Sequence, residues 1–217
     1  MPTFPIEPFG LYLILTAPRA GYRACAEAAV AEGVRFLQLR MKDTPPDAAR
    51  TVGRELRAIT RGTGTWLIVN DDVALAAELD ADGVHLGQDD LSLPEARLRW
   101  PNEDKIFGLS THNLAQARAA EILAPDYIGI GPVFPTPAKG GRDPAIGLDG
   151  MAALLRAAKR PAVAIGGINA GNLPAVRAHG AANYAVIRAV CEAADPRDAI
   201  RRLRDIERRI PVGPLRA

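Results

Sequence analysis

The sequence predicts an α/β protein, a single-domain (β/α)8 (TIM) barrel of parallel strands. Three observations carry that prediction. Eight short apolar runs alternate with segments of helical spacing along 217 residues. A polar cluster follows nearly every run, as expected if all strand ends meet at one mouth. The first run lacks the G-x-G-x-x-G turn that would open a doubly wound dinucleotide-binding sheet.

Leu11 to Leu15 is apolar without a break, which suits a strand buried on both faces. Tyr22 to Glu32 is Ala-rich with helical spacing, and Gly33 fits the position past its end. Val34 to Arg40 reads as the second strand, with Met41, Lys42 and Asp43 as its polar tip. Pro45-Pro46-Asp47 opens a helix to about Ile59. Trp66 to Val69 is the third strand and ends in Asn70-Asp71-Asp72; Val73 to Leu79 is helical. Gly83 to Leu86 is a short fourth strand followed by Gly87-Gln88-Asp89-Asp90, and Pro94 to Trp100 is a brief helix. Lys105 to Leu109 is the fifth strand, followed by Ser110-Thr111-His112; Asn113 can cap the helix that runs to Leu123.

Tyr127 to Ile130 is the sixth strand, broken by Gly131-Pro132, which no central strand can continue. The loop beyond carries a hydroxyl (Thr136), an amine (Lys139) and the pair Gly140-Gly141. Leu148 to Lys159 is helical, and Pro161 to Ile165 is a seventh strand ending in Gly166-Gly167. Asn169 or Asn172 caps a helix to about His179, and Tyr184 to Ile187 is the eighth strand, ending at Arg188. The last helix starts near Asp195-Pro196 with Ile200, Leu203, Ile206 and Ile210 on one face. The whole chain, 1–217, reads as one domain, with 1–9 and 211–217 peripheral or frayed.

With 48% hydrophobic and 24% charged residues, the chain can bury a sizeable core. A net charge of +2 gives no reason to invoke nucleic acid. Cys25 and Cys191 alone make no disulfide framework and read as small core residues. No apolar run approaches membrane-spanning length, and the first residues lack a signal-peptide pattern, so a cytoplasmic protein without a membrane partner is expected. The outer helices are all moderately amphipathic, which leaves oligomeric state open, a homodimer included.

Three kinds of chemistry converge on the predicted mouth. Asp71 and Asp90, from neighbouring strand ends, suit a hard, oxygen-preferring cation such as Mg2+, although each is also placed to cap a helix. Arg40, Lys42 and Lys139 around that cation form a clamp for a polyanion, most simply diphosphate. Gly166-Gly167 and the residues near Arg188 follow the seventh and eighth strands, where such barrels often bind a monophosphate. Gln38 and Ser110 lie between the two anion sites. The three histidines are dispersed: His85, inside a strand, reads as packed, and His112 sits at a strand end.

Seven stretches in order then resemble the thiamine phosphate synthase family. They are Leu11–Ile14, Gln38–Asp43, Asn70-Asp71, Gly83–Asp90, Gly108–His112, Asp126–Thr136 and Ala164–Ile168. The resemblance implies that a hydroxymethylpyrimidine diphosphate loses diphosphate and is captured by the ring nitrogen of a thiazole phosphate. Catalysis would then be leaving-group stabilisation and positioning, by Arg40, Lys42, Ser110 and Lys139. Asp71 and Asp90 would hold Mg2+. Gln38, Arg40, Lys42, Asn70, Ser110 and Lys139 would hold the pyrimidine diphosphate; Thr136, Gly166, Gly167, Ile187 and Arg188 would line the thiazole phosphate site.

Three positions depart from the family pattern: Ala138, where a second hydroxyl is usual; Arg188, where Ser is usual; and Asn183, where Gly is usual. All three are expected around the thiazole phosphate, with Arg188 either gripping it or pointing outward. Rival readings are a thiazole tautomerase, a non-catalytic thiamine phosphate binder and a phosphosugar isomerase. The tautomerase branch typically loses the Asp pair and has a His where Pro132 stands.

Overall fold

The computed structural model describes residues 7–136 and 143–215. Eight parallel strands close into a barrel in sequence order: β1 (Leu11–Leu15), β2 (Phe36–Leu39), β3 (Trp66–Asn70), β4 (Gly83–Leu86), β5 (Ile106–Thr111), β6 (Tyr127–Ile130), β7 (Ala162–Ile165) and β8 (Asn183–Val186). β8 returns to β1 through the pairs Leu11–Tyr184, Tyr12–Ala185 and Leu13–Val186. Around them run α1 (Tyr22–Ala31), α2 (Pro46–Thr60), α3 (Val73–Glu78), α4 (Leu93–Arg99), α5 (Leu114–Leu123), α6 (Gly147–Ala157), α7 (Leu173–Ala178), α8 (Arg188–Cys191) and α9 (Pro196–Arg209).

Strand alternation divides the core in two. Leu11, Leu13 and Leu15 belong to the layer between strands and helices, with Cys25, Ala29, Leu56 and Leu203. Tyr12, Ile14, Phe36, Ile68, Ile106, Tyr127, Val163 and Ala185 form a second cluster, the barrel's own filling. Aromatic rings dominate that filling. Phe36 lies 4.5 Å from Phe9 and 5.3 Å, edge-on, from Trp66, and Tyr12 lies 5.4 Å from Phe36 and 5.9 Å from Tyr127. Gly108 makes room for the Tyr127 ring: a Cβ there would stand 2.2 Å from Tyr127 Cζ.

Three sequence expectations need correction. β2 is shorter than Val34–Arg40, and β5 reaches Thr111, so Ser110 belongs to the strand rather than to the loop after it. The short helix α8 was not foreseen, because Arg188–Cys191 is a single turn and too brief for a periodic signal. Asn183 is not on the thiazole side of the barrel. It opens β8 at the opposite end, where its Oδ1 accepts from the amides of Phe9 (2.8 Å) and Gly10 (3.2 Å). Within those terminal segments, Phe9 packs on Phe36 at the floor of the barrel, and the Gly213 amide donates to the Arg177 carbonyl at 2.9 Å.

Asn183→Ala is expected to strip both amides of their acceptor and lower stability by about 1–3 kcal/mol, the usual cost of orphaning buried donors. Denaturant unfolding measures this, and ligand affinity at the mouth should not change.

Candidate active site

Helix capping decides which acidic residues remain for chemistry. The N-cap of α3 is Asp72, whose side chain accepts from the Leu75 amide at 2.9 Å, and α4 is capped by Ser92 in a capping box with Glu95. Asp71 and Asp90 are therefore not spent as caps. Asp71 sits in left-handed backbone at φ 63°, a conformation that Asp tolerates better than most residues. Its Oδ2 lies 2.8 Å from Lys42 Nζ, and Asp90 Oδ2 accepts from the Gly87 amide at 2.7 Å.

The two carboxyls lie within hydrogen-bonding reach of each other, and the contact shifts them in opposite directions. Burial, reinforced by Asp90, pushes the Asp71 carboxyl above its ordinary value, against the pull of Lys42. Burial also acts to raise Asp90, but the bond with Asp71 and the Gly87 amide outweigh it and hold Asp90 below the ordinary range. Two oxygen-donor carboxylates forced together, one of them destabilised as an anion, fit a hard divalent cation.

Gln38 is buried in the barrel and donates from Nε2 to the Tyr12 hydroxyl at 2.9 Å. Tyr12 and Tyr127 hydroxyls are 2.9 Å apart. Tyr127 Oη is 3.0 Å from His85 Nδ1, and His85 Nε2 is 2.9 Å from Ser110 Oγ. Gln88 Nε2 donates to the Ser110 carbonyl at 2.5 Å. Sequence reasoning missed Tyr12, Tyr127 and Gln88 as site residues and took His85 for simple packing. The available signal was parity: Tyr12, Gln38, His85 and Ser110 are inward positions of their strands. His112 ties two strand ends, with Nδ1 bonded to the Gly131 carbonyl at 2.6 Å and Nε2 3.5 Å from Asp143.

On the other side of the mouth, Gly166 (φ 104°) and Gly167 (φ 66°) pack beneath the loop after β6. A Cβ on Gly166 would stand 2.5 Å from Pro132, and one on Gly167 2.7 Å from Phe134 Cβ. Thr136 is partly buried at the described edge of that loop, and Ile187 packs against the barrel filling. Arg188 is exposed, with Nε 2.6 Å from Glu192 Oε1, which favours the outward orientation over a grip on the thiazole phosphate. Arg40 and Asn70 lie partly buried at the ends of β2 and β3. Lys139 and Ala138 lie outside the described residues.

A parallel barrel with an acidic pair, a paired lysine and a glycine-walled strand end at one mouth belongs to the class that handles phosphorylated small molecules. The family described as "Thiamine monophosphate synthase" matches residues 11–190. The chain is 42% identical over 199 residues to the thiamine-phosphate synthase of Moorella thermoacetica, covering 90% of this chain and 94% of that one. It is also 42% identical over 205 residues to that of Natronomonas pharaonis, covering 92% and 95%. Thiamine phosphate pyrophosphorylase from Pyrococcus furiosus superposes with a TM-score of 0.83 at 36% identity, over 94% of this chain and 97% of that one. The chain belongs to the thiamine monophosphate synthase family. Among the described residues no helix is long and apolar enough to cross a membrane.

The raised Asp71 carboxyl sets a pH dependence. Its folded form binds a proton more tightly than the unfolded chain does, so Asp71 costs stability as pH rises from about 4, the unfolded value, through the folded one. Asp71→Asn should remove that loss, since Asn also tolerates the left-handed backbone. The metal-free variant is expected to melt higher than wild type at neutral pH, with a flatter stability profile above pH ~4, and thermal scans across pH check this.

Proposed function

We propose that the protein is a thiamine-phosphate synthase. It joins 4-amino-5-hydroxymethyl-2-methylpyrimidine diphosphate to hydroxyethylthiazole phosphate and releases thiamine monophosphate and diphosphate. The observation that carries this reading is the acidic pair: Asp71 and Asp90, free of capping duty, face Lys42 in a chain about 40% identical to synthases over most of its length. A tautomerase or a phosphosugar isomerase has no need of that pair.

In this reading Asp71 and Asp90 hold Mg2+, which when bound neutralises charge on the diphosphate. Lys42 already sits on Asp71 and compensates the excess negative charge of the pair. A diphosphate entering the mouth offers Lys42 and Arg40 an anionic partner with more charge than a single carboxylate. The bond between the pyrimidine methylene carbon and the diphosphate oxygen then breaks, and its electron pair departs with the diphosphate. The thiazole nitrogen lone pair forms the new bond to that carbon. No strong base is required, which agrees with a mouth holding Gln38, Asn70, Ser110 and cations rather than an activated nucleophile. Lys139, by resemblance, adds a further cation to the diphosphate. Gly166, Gly167, Thr136 and Ile187 line the thiazole phosphate side.

Mixing both substrates with Mg2+ should give thiamine phosphate, detected by fluorescence after oxidation, and EDTA should abolish it. Diphosphate release without coupled product would instead favour a defective or merely binding protein. Arg188→Ala should leave the KM for the thiazole phosphate within about twofold, since an exposed ion pair contributes little; steady-state kinetics with the thiazole substrate varied checks this.

A further inference from the structure

We infer that Asn169 and Asn172 are positioning residues for the thiazole phosphate: they hold the Gly167 carbonyl back and so present the Gly167 and Ile168 amides to the phosphate. The inference rests on the reading that Gly166 and Gly167 line the thiazole phosphate side. It concerns two side chains that act through the backbone of the turn after β7.

Three carbonyls in a row are committed in that turn. The Ile165 carbonyl accepts from the Val133 amide at 2.8 Å, and the Gly166 carbonyl from the Phe134 amide at 3.0 Å. The Gly167 carbonyl takes two side-chain donors, Asn172 Nδ2 at 2.9 Å and Asn169 Nδ2 at 3.3 Å. Both carboxamides have only one workable orientation. Asn172 Oδ1 accepts from the Asn169 amide at 2.9 Å. Asn169 Oδ1 accepts from the amides of Gly171 (2.8 Å) and Asn172 (3.3 Å). Turning either carboxamide over would set its NH2 against an N–H and its oxygen against the Gly167 carbonyl.

Asn172 occupies the N-cap of α7, where an asparagine ordinarily accepts from an amide of the first helical turn. It makes no such bond. Its carboxamide is spent on the glycine turn instead, and the helix goes without a side-chain cap. A side chain needed only to start a helix would cap it.

The glycine pair explains why the turn needs pins. Gly166 (φ 104°) and Gly167 (φ 66°) must lack a Cβ to pass Pro132 and Phe134. The same lack leaves their peptide planes free to turn. Such a turn can show a ligand either a carbonyl oxygen, which repels phosphate, or an N–H, which binds it. The N–H of a trans peptide points opposite to its C=O. With the Gly166 and Gly167 carbonyls drawn to Phe134 and to the asparagines, the Gly167 and Ile168 amides are directed away from those partners. Among the described residues neither amide meets an acceptor. Two adjacent unused donors suit two oxygens of one phosphate group.

The direct test needs no turnover. Inorganic phosphate is titrated into 15N-labelled wild-type protein and into Asn172→Ser, and the amide resonances are followed. Serine caps helices as well as asparagine does and is neutral, but it is shorter and has no carboxamide N–H. The Gly167 and Ile168 protons are expected to move downfield in the wild type, and phosphate affinity at that turn should fall about tenfold in the variant, the weight of one hydrogen bond. If neither proton moves in the wild type, or if the variant binds phosphate equally well, the inference is wrong whatever the enzyme's activity. Kinetics supply the second arm. Asn172→Ser should raise the KM for the thiazole phosphate by about tenfold and leave kcat and the KM for the pyrimidine diphosphate within about twofold, the pattern of lost ground-state binding. The Asn169→Ser/Asn172→Ser double variant should raise the thiazole phosphate KM further, because both donors to one carbonyl are gone. A fall in kcat with the two KM values moving together, or a lowered melting temperature that accounts for the loss, would reduce the asparagines to turn stabilisers. Absence of turnover in wild type would count against the synthase reading and leave the amide shifts to decide this one.

Discussion

The Tyr12–Tyr127 hydroxyl contact, 2.9 Å long and at the centre of the barrel, is the interaction on which the interior depends. Eight strands enclose a space that aliphatic side chains ordinarily fill in layers. Here two tyrosines and two phenylalanines occupy much of it, and each phenol must find a polar partner once buried. Burial pushes both the Tyr12 and Tyr127 hydroxyls up, so they stay neutral. The need to satisfy two buried O–H groups brings Gln38 and His85 inward and ties the filling of the barrel to its mouth. Gly108 is part of the same constraint, because any side chain there would collide with the Tyr127 ring.

A second constraint governs the acidic end. Helices that begin just after strand ends need caps, and the mouth needs carboxylates for other work. The chain meets both demands with adjacent residues. Asp72 caps α3 while Asp71, turned into left-handed backbone, faces Asp90 and Lys42. In the same way Ser92 and Glu95 cap α4 and leave Asp90 to the mouth. The cost is an electrostatic conflict between the two carboxyls, which Lys42 relieves only in part.

Most of the barrel was legible because its strands are short apolar runs bounded by Gly, Pro and polar clusters. β1, β4 and β6 have the limits that the sequence indicated. The acidic pair and Gln38 were legible because strand ends must meet at one mouth. What stayed hidden has a common cause: an unbroken apolar run does not reveal which of its residues face inward. Tyr12 and Tyr127 read as ordinary members of buried strands, and His85 as packing, although each bears a polar atom with a partner on another strand. Arg188 was ambiguous for a different reason. Its place after β8 allowed either a phosphate grip or an outward orientation, and α8 sets Glu192 one turn away, where its carboxylate pairs with the guanidinium.

Asn183 shows why position along a strand matters more than proximity in sequence. It lies five residues from Arg188, yet the two serve opposite ends of the barrel. A residue at the start of a strand in this fold faces the stabilising floor, and one at its end faces the mouth. A side-chain amide at the floor can bind two backbone N–H groups of the incoming chain, which glycine cannot do. With Phe9 held against Phe36, that amide closes the bottom of the barrel. Of the departures from the family pattern, then, one is a structural clamp remote from chemistry and one is an outward ion pair. Neither requires the other residues at the mouth to differ from those of the relatives' pattern.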